Sequence, residues 1–252
     1  MAPTPHSSPF LPSPFSRSKF FAPRGPLYGQ WILITGVTGQ WGKAIVQDLV
    51  QAGMNVVGLS RNEKALAELK QELATFGQQF FYELCDLSQI QSMGTLVKKL
   101  EVKYPSFHFI LHNAFVEKLQ RFEDFSCDQI HHILTVNLLA PLELTRLLLP
   151  SLKRNKGQIL IMNRRTMAYN TLYSTANGGL GQWSHAMAKE LKGSGIRIKA
   201  LRPLSLGKGN KEKMLKELRM VMTMPPQRAF SLSFINVFRE WNKLKGMEQK
   251  RS

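Results

Sequence analysis

The sequence predicts a single doubly wound α/β domain, in which helices cover both faces of a parallel sheet. Short apolar segments alternate with helical segments along the chain, and these apolar segments are nearly continuous rather than alternating with polar residues. Strand–helix alternation at this spacing favours parallel βαβ units, and continuous apolar strands are typical of a sheet that is buried on both faces. A chain of 252 residues can form one such domain with a substantial core.

Six apolar segments are predicted to be strands, at residues 31–36, 54–60, 80–86, 107–113, 157–162 and 196–203. The helical segments between them cover residues 40–51, 62–76, 90–103 and 175–192, and a further long helix is predicted to end near Pro150. In the second helix, Leu66, Leu69 and Leu73 recur at a spacing that places them on one face. Ligands bind at the carboxyl ends of the strands in such folds, so the residues that follow each strand are the candidates for function.

Two segments flank the α/β region, which is expected to span residues 30–205. Residues 1–29 are rich in Pro and Ser, contain no acidic residue and show no apolar period, which predicts an extended basic arm. Organellar import by this arm is a minor alternative, since it lacks a clear amphipathic helix. Residues 206–252 carry eleven Lys and Arg against four Glu and are predicted to be a basic helical segment.

Composition narrows the partners and the compartment. The formal net charge of +17 attracts nucleic acid, anionic surfaces or phosphorylated ligands, but no nucleic-acid-binding motif accompanies it, so nucleic acid is a weak alternative. Cys85 and Cys127 form neither a metal-ligand spacing nor a disulfide framework, which predicts a reducing, cytoplasmic location and no metal site. Because no apolar run reaches about 18 residues, we expect no transmembrane segment.

The first predicted strand runs into a glycine-rich turn, Thr35-Gly36-Val37-Thr38-Gly39-Gln40-Trp41-Gly42, which opens directly into a helix. Glycines here allow a tight turn and a close approach of the backbone to a diphosphate, which the amide groups of the helix N-terminus can bind. A magnesium-binding phosphate loop is excluded, because Ala44 follows Lys43 where that motif needs a hydroxyl group. The residues expected to bind a dinucleotide are Gly36, Thr38, Gly39, Gln40, Trp41 and Gly42.

The second predicted strand ends in Ser60-Arg61. A site that prefers NAD has an acidic residue here, which binds the ribose 2′-hydroxyl, whereas an Arg accommodates the 2′-phosphate of NADP. A guanidinium group presents paired donors that match phosphate oxygens. Ser60 and Arg61 therefore predict NADP(H) as the cofactor, and the alternative is that Arg61 is an ordinary surface residue.

From about residue 30 to residue 203, the chain resembles the short-chain dehydrogenase/reductase family, which has a Rossmann-type fold. Five further elements follow the glycine-rich turn in the order of the family, namely Cys85-Asp86-Leu87, His112-Asn113-Ala114, Val136-Asn137, Tyr173-Ser174-Thr175-Ala176-Asn177 and Arg202-Pro203. The additional cofactor contacts that the resemblance implies are Asp86, Leu87, Asn113, Ala114 and Pro203.

The catalytic set departs from the family pattern. The resemblance implies that Tyr173 is the proton donor and that Asn137 holds a proton-relay water. Asn177 stands where the family has a Lys whose charge lowers the pKa of the Tyr, and Asn163-Arg164-Arg165 stands where the family has its Ser. Without the Lys, the pKa of Tyr173 is expected to stay near its ordinary value of about 10.

Further departures lie near the nicotinamide end of the implied site and at the end of the chain. Phe115 and Leu204 occupy positions where the family has glycine. No seventh strand rich in Gly and Val is evident, and the segment from Lys208 is predicted to form two helices separated by Pro225-Pro226.

Two functions remain open at this point. The first is a divergent NADP(H)-dependent oxidoreductase that acts on a small carbonyl or alcohol. The second is a catalytically inactive nucleotide-binding protein with a regulatory or assembly role. The helices around Asn137 and Tyr173 form subunit interfaces in the family, so the resemblance also implies a homo-oligomer.

Overall fold

The predicted α/β architecture is confirmed by the computed structural model, which describes residues 25–76, 79–163, 168–201 and 208–224. Within these residues six strands form one sheet: β1 (Trp31–Thr35), β2 (Asn55–Ser60), β3 (Phe80–Leu84), β4 (Phe109–His112), β5 (Gln158–Met162) and β6 (Arg197–Leu201). All neighbouring strands are parallel. Their order is β3-β2-β1-β4-β5-β6, the doubly wound arrangement of a Rossmann-type domain.

The helices that connect and follow the strands are α1 (Gln40–Gln51), α2 (Glu63–Leu73), α3 (Met93–Lys103), α4 (Cys127–Leu134), α5 (Ala140–Arg154), α6 (Thr171–Glu190) and α7 (Lys208–Thr223). A π-helical turn, Thr135–Leu139, joins α4 to α5 without a break. Such turns frequently occur at functional sites.

Two layers of helices bury the two faces of the sheet. On one face, Leu49 of α1, Leu66 of α2 and Leu218 of α7 belong to one apolar cluster. On the other face, Val97 of α3 and Leu148 of α5 belong to a second cluster. This burial on both sides explains why the strands are nearly continuous apolar runs.

Helix α7 lies in the segment that was predicted to be a basic helical extension. Its Met214, Leu218, Val221 and Met222 are buried in the core, so α7 is itself part of the helical layer of the domain. The described residues do not include the helix predicted after Pro225-Pro226, the arm before residue 25, or the residues Arg164, Arg165, Pro203 and Leu204.

The observed bounds of α5 and α6 differ from the prediction by about one turn. Helix α5 continues through Pro150 instead of ending there. A proline removes one helical hydrogen bond, but the burial of Leu148 and Leu152 against the sheet keeps this helix in place. Helix α6 begins at Thr171, about one turn earlier than predicted, which places Tyr173 in its first turn.

One helical stretch in the described part of the chain, Cys127–Arg154, is long and apolar enough to cross a membrane by length and composition. In the fold this stretch is the continuous α4–α5 segment. Its Leu144, Leu148 and Leu152 are fully buried against the sheet, as expected of a core helix in an α/β domain.

Candidate functional site

The candidate site lies at the carboxyl ends of β1 and β4, where the strand order reverses. Strand β1 pairs with β2 on one side and with β4 on the other, so the connections after β1 and β4 run in opposite directions from this point. A crevice opens at such a switch point, and dinucleotides bind across it. The glycine-rich turn follows β1, and the segment that begins with Asn113 follows β4.

The three glycines of the turn have different surroundings, which decide whether a side chain could be accommodated at each. Gly36 has φ +69°, and a Cβ on it would lie 2.6 Å from the Cα of Ala114. A Cβ on Gly42 would lie 2.2 Å from the carbonyl oxygen of Gly36. Gly39, in contrast, is exposed, and a Cβ on it would meet only the Gly36 carbonyl oxygen at an ordinary 3.6 Å. Gly36 and Gly42 are therefore required by packing, whereas Gly39 leaves an open approach to the helix end.

Gly39 is the N-cap of α1, and its backbone is extended with φ −72° and ψ 161°. The amide groups of Gln40 and Trp41 follow in the first turn, where a helix has no internal acceptor for them. Their hydrogens and the positive end of the helix dipole face the open side of Gly39. The ring of Trp41 packs against the core beside this turn. This arrangement is suited to binding an anion such as a diphosphate.

Thr35 and Asn113 fasten the turn to the end of β4. The Thr35 hydroxyl accepts hydrogen bonds from the backbone N–H groups of Asn113 (3.1 Å) and Ala114 (3.0 Å). The Asn113 side-chain amide donates to the carbonyl oxygens of Thr35 (3.2 Å) and Gly36 (3.1 Å). Because both hydrogens of this amide are used by the backbone, Asn113 contributes to the site by shaping the turn. Thr35 is a member of the site that the sequence prediction did not single out.

The ends of β2 and β3 form the next part of the site. The hydroxyl groups of Thr38 and Ser60 are hydrogen-bonded at 2.8 Å, which links the glycine-rich turn to the end of β2. Beside them lies an open cleft of about 720 Å³, lined by Arg61, Asn62, Glu63, Leu84, Cys85 and Asp86. The structure therefore brings Arg61 and Asp86, two of the predicted cofactor contacts, to one cleft next to the turn.

Asp86 is held as a carboxylate in this cleft. Its Oδ1 accepts hydrogen bonds from the backbone N–H (2.9 Å) and the hydroxyl (2.8 Å) of Ser88. The Ser88 N–H and hydroxyl, with the nearby charges of Arg61 and His132, lower the pKa of Asp86 against the opposing effect of burial. Leu87 packs against the core beside it.

The Cys85 thiol in the same cleft is not activated. Burial, together with the Asp86 charge, raises the pKa of Cys85 to about 11, so the thiol stays protonated at neutral pH.

Tyr173 and Asn137 lie on the other side of the β4 end. Tyr173 in α6 is only 3% exposed, and its ring meets the ring of Phe115 edge-on, with centroids 5.5 Å apart. Asn137 lies in the π-helical turn, where its side chain accepts from the Val116 N–H at 2.8 Å and donates to the Val116 carbonyl at 2.7 Å. The Asn137 side chain therefore fixes the segment after β4.

Asn163 and Asn177 occupy the positions where the resemblance implies a Ser and a Lys. Both are buried, and the Asn163 amide donates to the Asn177 backbone carbonyl at 3.3 Å. This bond ties the end of β5 to α6. Neither side chain carries a charge, so neither supplies the positive field that would lower the pKa of Tyr173.

Comparisons with known proteins agree with this geometry. The family model described as short chain dehydrogenase matches residues 30–216. Among curated proteins, the chain is 31% identical to the ketoacyl reductase HetN of Nostoc, over 70% of this chain and 63% of that protein. It is 25% identical to the inactive hydroxysteroid dehydrogenase-like protein 1 of Homo sapiens, over 70% and 56%, and 25% identical to the very-long-chain 3-oxoacyl-CoA reductase of Bos taurus, over 71% and 60%. The chain thus spans less than two thirds of the length of these relatives.

Solved structures share the fold. A metagenomic short-chain oxidoreductase in complex with NADP has a TM-score of 0.74 and 22% identity, over 80% of this chain and 93% of that one. The RhlG/NADP complex of Pseudomonas aeruginosa has a TM-score of 0.72 and 19% identity, over 82% and 96%.

Proposed function

Because the chain belongs to the short-chain dehydrogenase family, we propose that it is a divergent oxidoreductase that binds NADP(H) and acts on a small carbonyl or alcohol. The observation that carries this proposal is the glycine-rich turn, whose open side at Gly39 adjoins the cleft that contains Arg61. An open helix N-terminus next to a cleft that contains a guanidinium group suits a dinucleotide with an additional phosphate.

The residues around this turn fit the cofactor. The amides of Gln40 and Trp41 would hold the diphosphate, and the close packing of Gly36 on Ala114 leaves the turn bare of side chains there. Arg61 would bind the 2′-phosphate, supported by the hydroxyl groups of Ser60 and Thr38. Asp86 and Leu87 would border the adenine, which has an amino group that a carboxylate can accept from.

The nicotinamide ring supplies or accepts the hydride when the cofactor is bound. Tyr173 would donate or remove the proton at the substrate oxygen, as the resemblance implies. Asn137 would support this reaction by fixing Val116, which follows Phe115 in the segment that contacts Tyr173. Since Asn177 carries no charge, we expect proton transfer from Tyr173 to be slow.

The substrate class is proposed from the chemistry that the relatives share. The names of the Nostoc and Bos taurus proteins both describe reduction of an oxoacyl carbonyl. Reduction of such a carbonyl needs a hydride donor, which a reduced nicotinamide cofactor supplies. We therefore include 3-oxoacyl thioesters among the carbonyls to be tested.

A second candidate function is nucleotide binding without turnover. It is favoured by the burial of Tyr173 against Phe115 and by the two uncharged residues, Asn163 and Asn177, in the catalytic half. One of the relatives is itself named as inactive. In this case the bound nucleotide would serve regulation or assembly.

The proposal also includes a cytoplasmic location and a homo-oligomeric assembly. Cys85 and Cys127 are both free thiols, which agrees with a reducing, cytoplasmic location. A homo-oligomer is expected from the resemblance, and light scattering coupled to size-exclusion chromatography would measure it.

The two candidate functions are separated by measuring NADPH oxidation with a panel of aldehydes, ketones and 3-oxoacyl thioesters. An oxidoreductase should turn over at least one of them, and Tyr173→Phe should reduce the rate about a hundredfold or more, because a general acid is lost. Asn177→Lys should raise the rate about tenfold or more by placing a charge one helical turn from the phenol. NADPH binding without turnover supports the second candidate, and the absence of NADPH binding refutes both.

A further inference from the structure

The strand order divides the site into two halves. The ends of β1, β2 and β3 carry the glycine-rich turn, Arg61 and Asp86. The ends of β4 and β5, with the first turn of α6, carry Phe115, Asn163 and Tyr173. A dinucleotide that lies across the switch point places its adenosine over the first half. Its nicotinamide end must then lie over the second half.

The Phe115 side chain lies in this second half, against Tyr173. Phe115 follows Ala114, whose Cα is in close contact with Gly36 at the switch point. From there its ring reaches Tyr173, and the ring planes meet at 65° with centroids 5.5 Å apart. Tyr173 is left only 3% exposed. The ring of Phe115 therefore covers part of the Tyr173 side chain.

The segment that carries Phe115 is fastened at three points beyond it. Asn137 holds Val116 by two hydrogen bonds of 2.8 and 2.7 Å. The Asn170 amide donates to the Glu117 carboxylate at 3.1 Å, and the Gln120 N–H donates to the Tyr169 carbonyl at 3.0 Å. These bonds connect the segment to the π-helical turn and to the residues just before α6. With the backbone held in this way, rotation of the Phe115 side chain releases the ring contact with Tyr173 without moving the segment.

We infer that Phe115 is an access-determining residue: its ring closes the nicotinamide and substrate half of the site over Tyr173, while the adenosine half stays open. This inference rests on the proposed NADP(H) site for its ligand, but the closure of Tyr173 is a property of the chain itself. It follows that the adenosine end contributes most of the affinity for NADPH, and that a smaller side chain at position 115 allows the nicotinamide end to contribute as well.

The first test measures the accessibility of Tyr173 without any ligand. Each variant is treated with tetranitromethane, and nitration of each tyrosine is measured by peptide mass spectrometry. Tyr169, which is 62% exposed and lies just before α6, is the reference. In the wild-type chain Tyr173 should be protected, and in Phe115→Ala its nitration should approach that of Tyr169. Phe122→Ala is the matched control, because Phe122 is 62% exposed in the same connection and should leave Tyr173 protected.

The second test compares NADPH with adenosine 2′,5′-bisphosphate by isothermal titration calorimetry. The wild-type chain should bind the two with similar affinity. Phe115→Ala should bind NADPH about tenfold more tightly, a gain of about 1.4 kcal/mol, with unchanged affinity for the bisphosphate. Phe115→Leu keeps an apolar side chain of intermediate size and should give an intermediate result, and circular dichroism checks that each variant is folded.

The outcomes distinguish this inference from the proposed function. If Tyr173 stays protected in folded Phe115→Ala and Phe115→Leu, Phe115 does not close the site and the inference is wrong. If wild-type protein binds NADPH far more tightly than the bisphosphate, the inference is also overturned. If nitration of Tyr173 rises in Phe115→Ala but neither nucleotide binds, the closure by Phe115 stands and the NADP(H) proposal fails.

Discussion

Replacing Gly39 and Gly42 separately with Ala tests whether the glycine-rich turn binds a nucleotide, because the two glycines meet very different surroundings in one turn. A Cβ on Gly42 would lie 2.2 Å from the Gly36 carbonyl oxygen and 2.7 Å from the Val37 Cα. Both atoms belong to the backbone, so neither can swing aside. A Cβ on Gly39 would meet only the Gly36 carbonyl oxygen at 3.6 Å, and the φ of Gly39, −72°, is open to Ala.

These distances predict opposite effects on stability and binding. Overpacking against a fixed backbone costs about 1–3 kcal/mol, so Gly42→Ala should lower the free energy of unfolding by at least this amount. For Gly39→Ala, the reduced freedom of the unfolded chain contributes about 0.4–1 kcal/mol, and the poorer N-cap offsets most of it. The added methyl group lies where the diphosphate approaches, so Gly39→Ala should weaken NADPH binding about tenfold or more, which is about 1.4 kcal/mol.

Urea unfolding followed by circular dichroism and titration with NADPH followed by fluorescence measure the two effects on the same samples. Gly178→Ala is the control, since a Cβ at this position in α6 meets nothing within 4 Å, and it should leave NADPH binding unchanged. If Gly39→Ala binds NADPH as tightly as the wild-type chain, the diphosphate does not lie on this turn. If Gly42→Ala is as stable as the wild-type chain, Gly42 does not pack closely against the Gly36 carbonyl oxygen, and α1 does not meet the turn in this way.

Further predictions concern charge. Arg61→Ala should weaken NADPH binding by about tenfold or more and leave NADH binding nearly unchanged, as measured by parallel fluorescence titrations; equal losses for both would contradict the 2′-phosphate role. Burial lowers the pKa of His112 to about 3. Below about pH 6.5 the unfolded chain therefore binds a proton at this residue that the folded chain does not bind. The free energy of unfolding then falls by up to ~1.4 kcal/mol per pH unit as the pH decreases. Urea unfolding between pH 7 and about pH 4.5 should show a shallower dependence for His112→Gln than for wild type, and parallel slopes would refute this. The buried Glu83 accepts hydrogen bonds from Lys99, Lys103 and Tyr104, which lower its pKa although burial alone raises it. Glu83→Gln should therefore cost about 1–3 kcal/mol at pH 7, and the difference from wild type should shrink as the pH falls through the lowered pKa.

The strands and their layers could be predicted from the sequence because burial on both faces leaves a simple pattern. Each predicted strand contains the observed one, but the observed strands are shorter: β3 ends at Leu84, two residues before the predicted end, and β4 begins at Phe109, two residues after the predicted start. Helix α5 passes through Pro150 because the burial of Leu148 and Leu152 outweighs the loss of one hydrogen bond. Tertiary packing of this kind cannot be read from local preference.

The sequence predicted the residues of the cofactor-binding half of the site better than the contacts of the catalytic half. The turn, Arg61 and Asp86 follow strand ends directly, so their meeting in one region follows from the topology. The contact of Phe115 with Tyr173 depends on the side-chain directions in a loop and a helix that are far apart in sequence. The sequence showed Phe115 only as a departure from a family glycine, and Thr35 was missed because a Thr at a strand end has no distinctive pattern.

Titration of the purified wild-type protein with NADPH and with NADH is the decisive measurement, because it shows whether the chain binds NADPH in preference to NADH. The geometry of the turn, the Arg61 cleft and the absence of an acidic residue at the end of β2 predict binding of NADPH in the micromolar range, with NADH at least about tenfold weaker. Failure of both nucleotides to bind, or a preference for NADH, would contradict it.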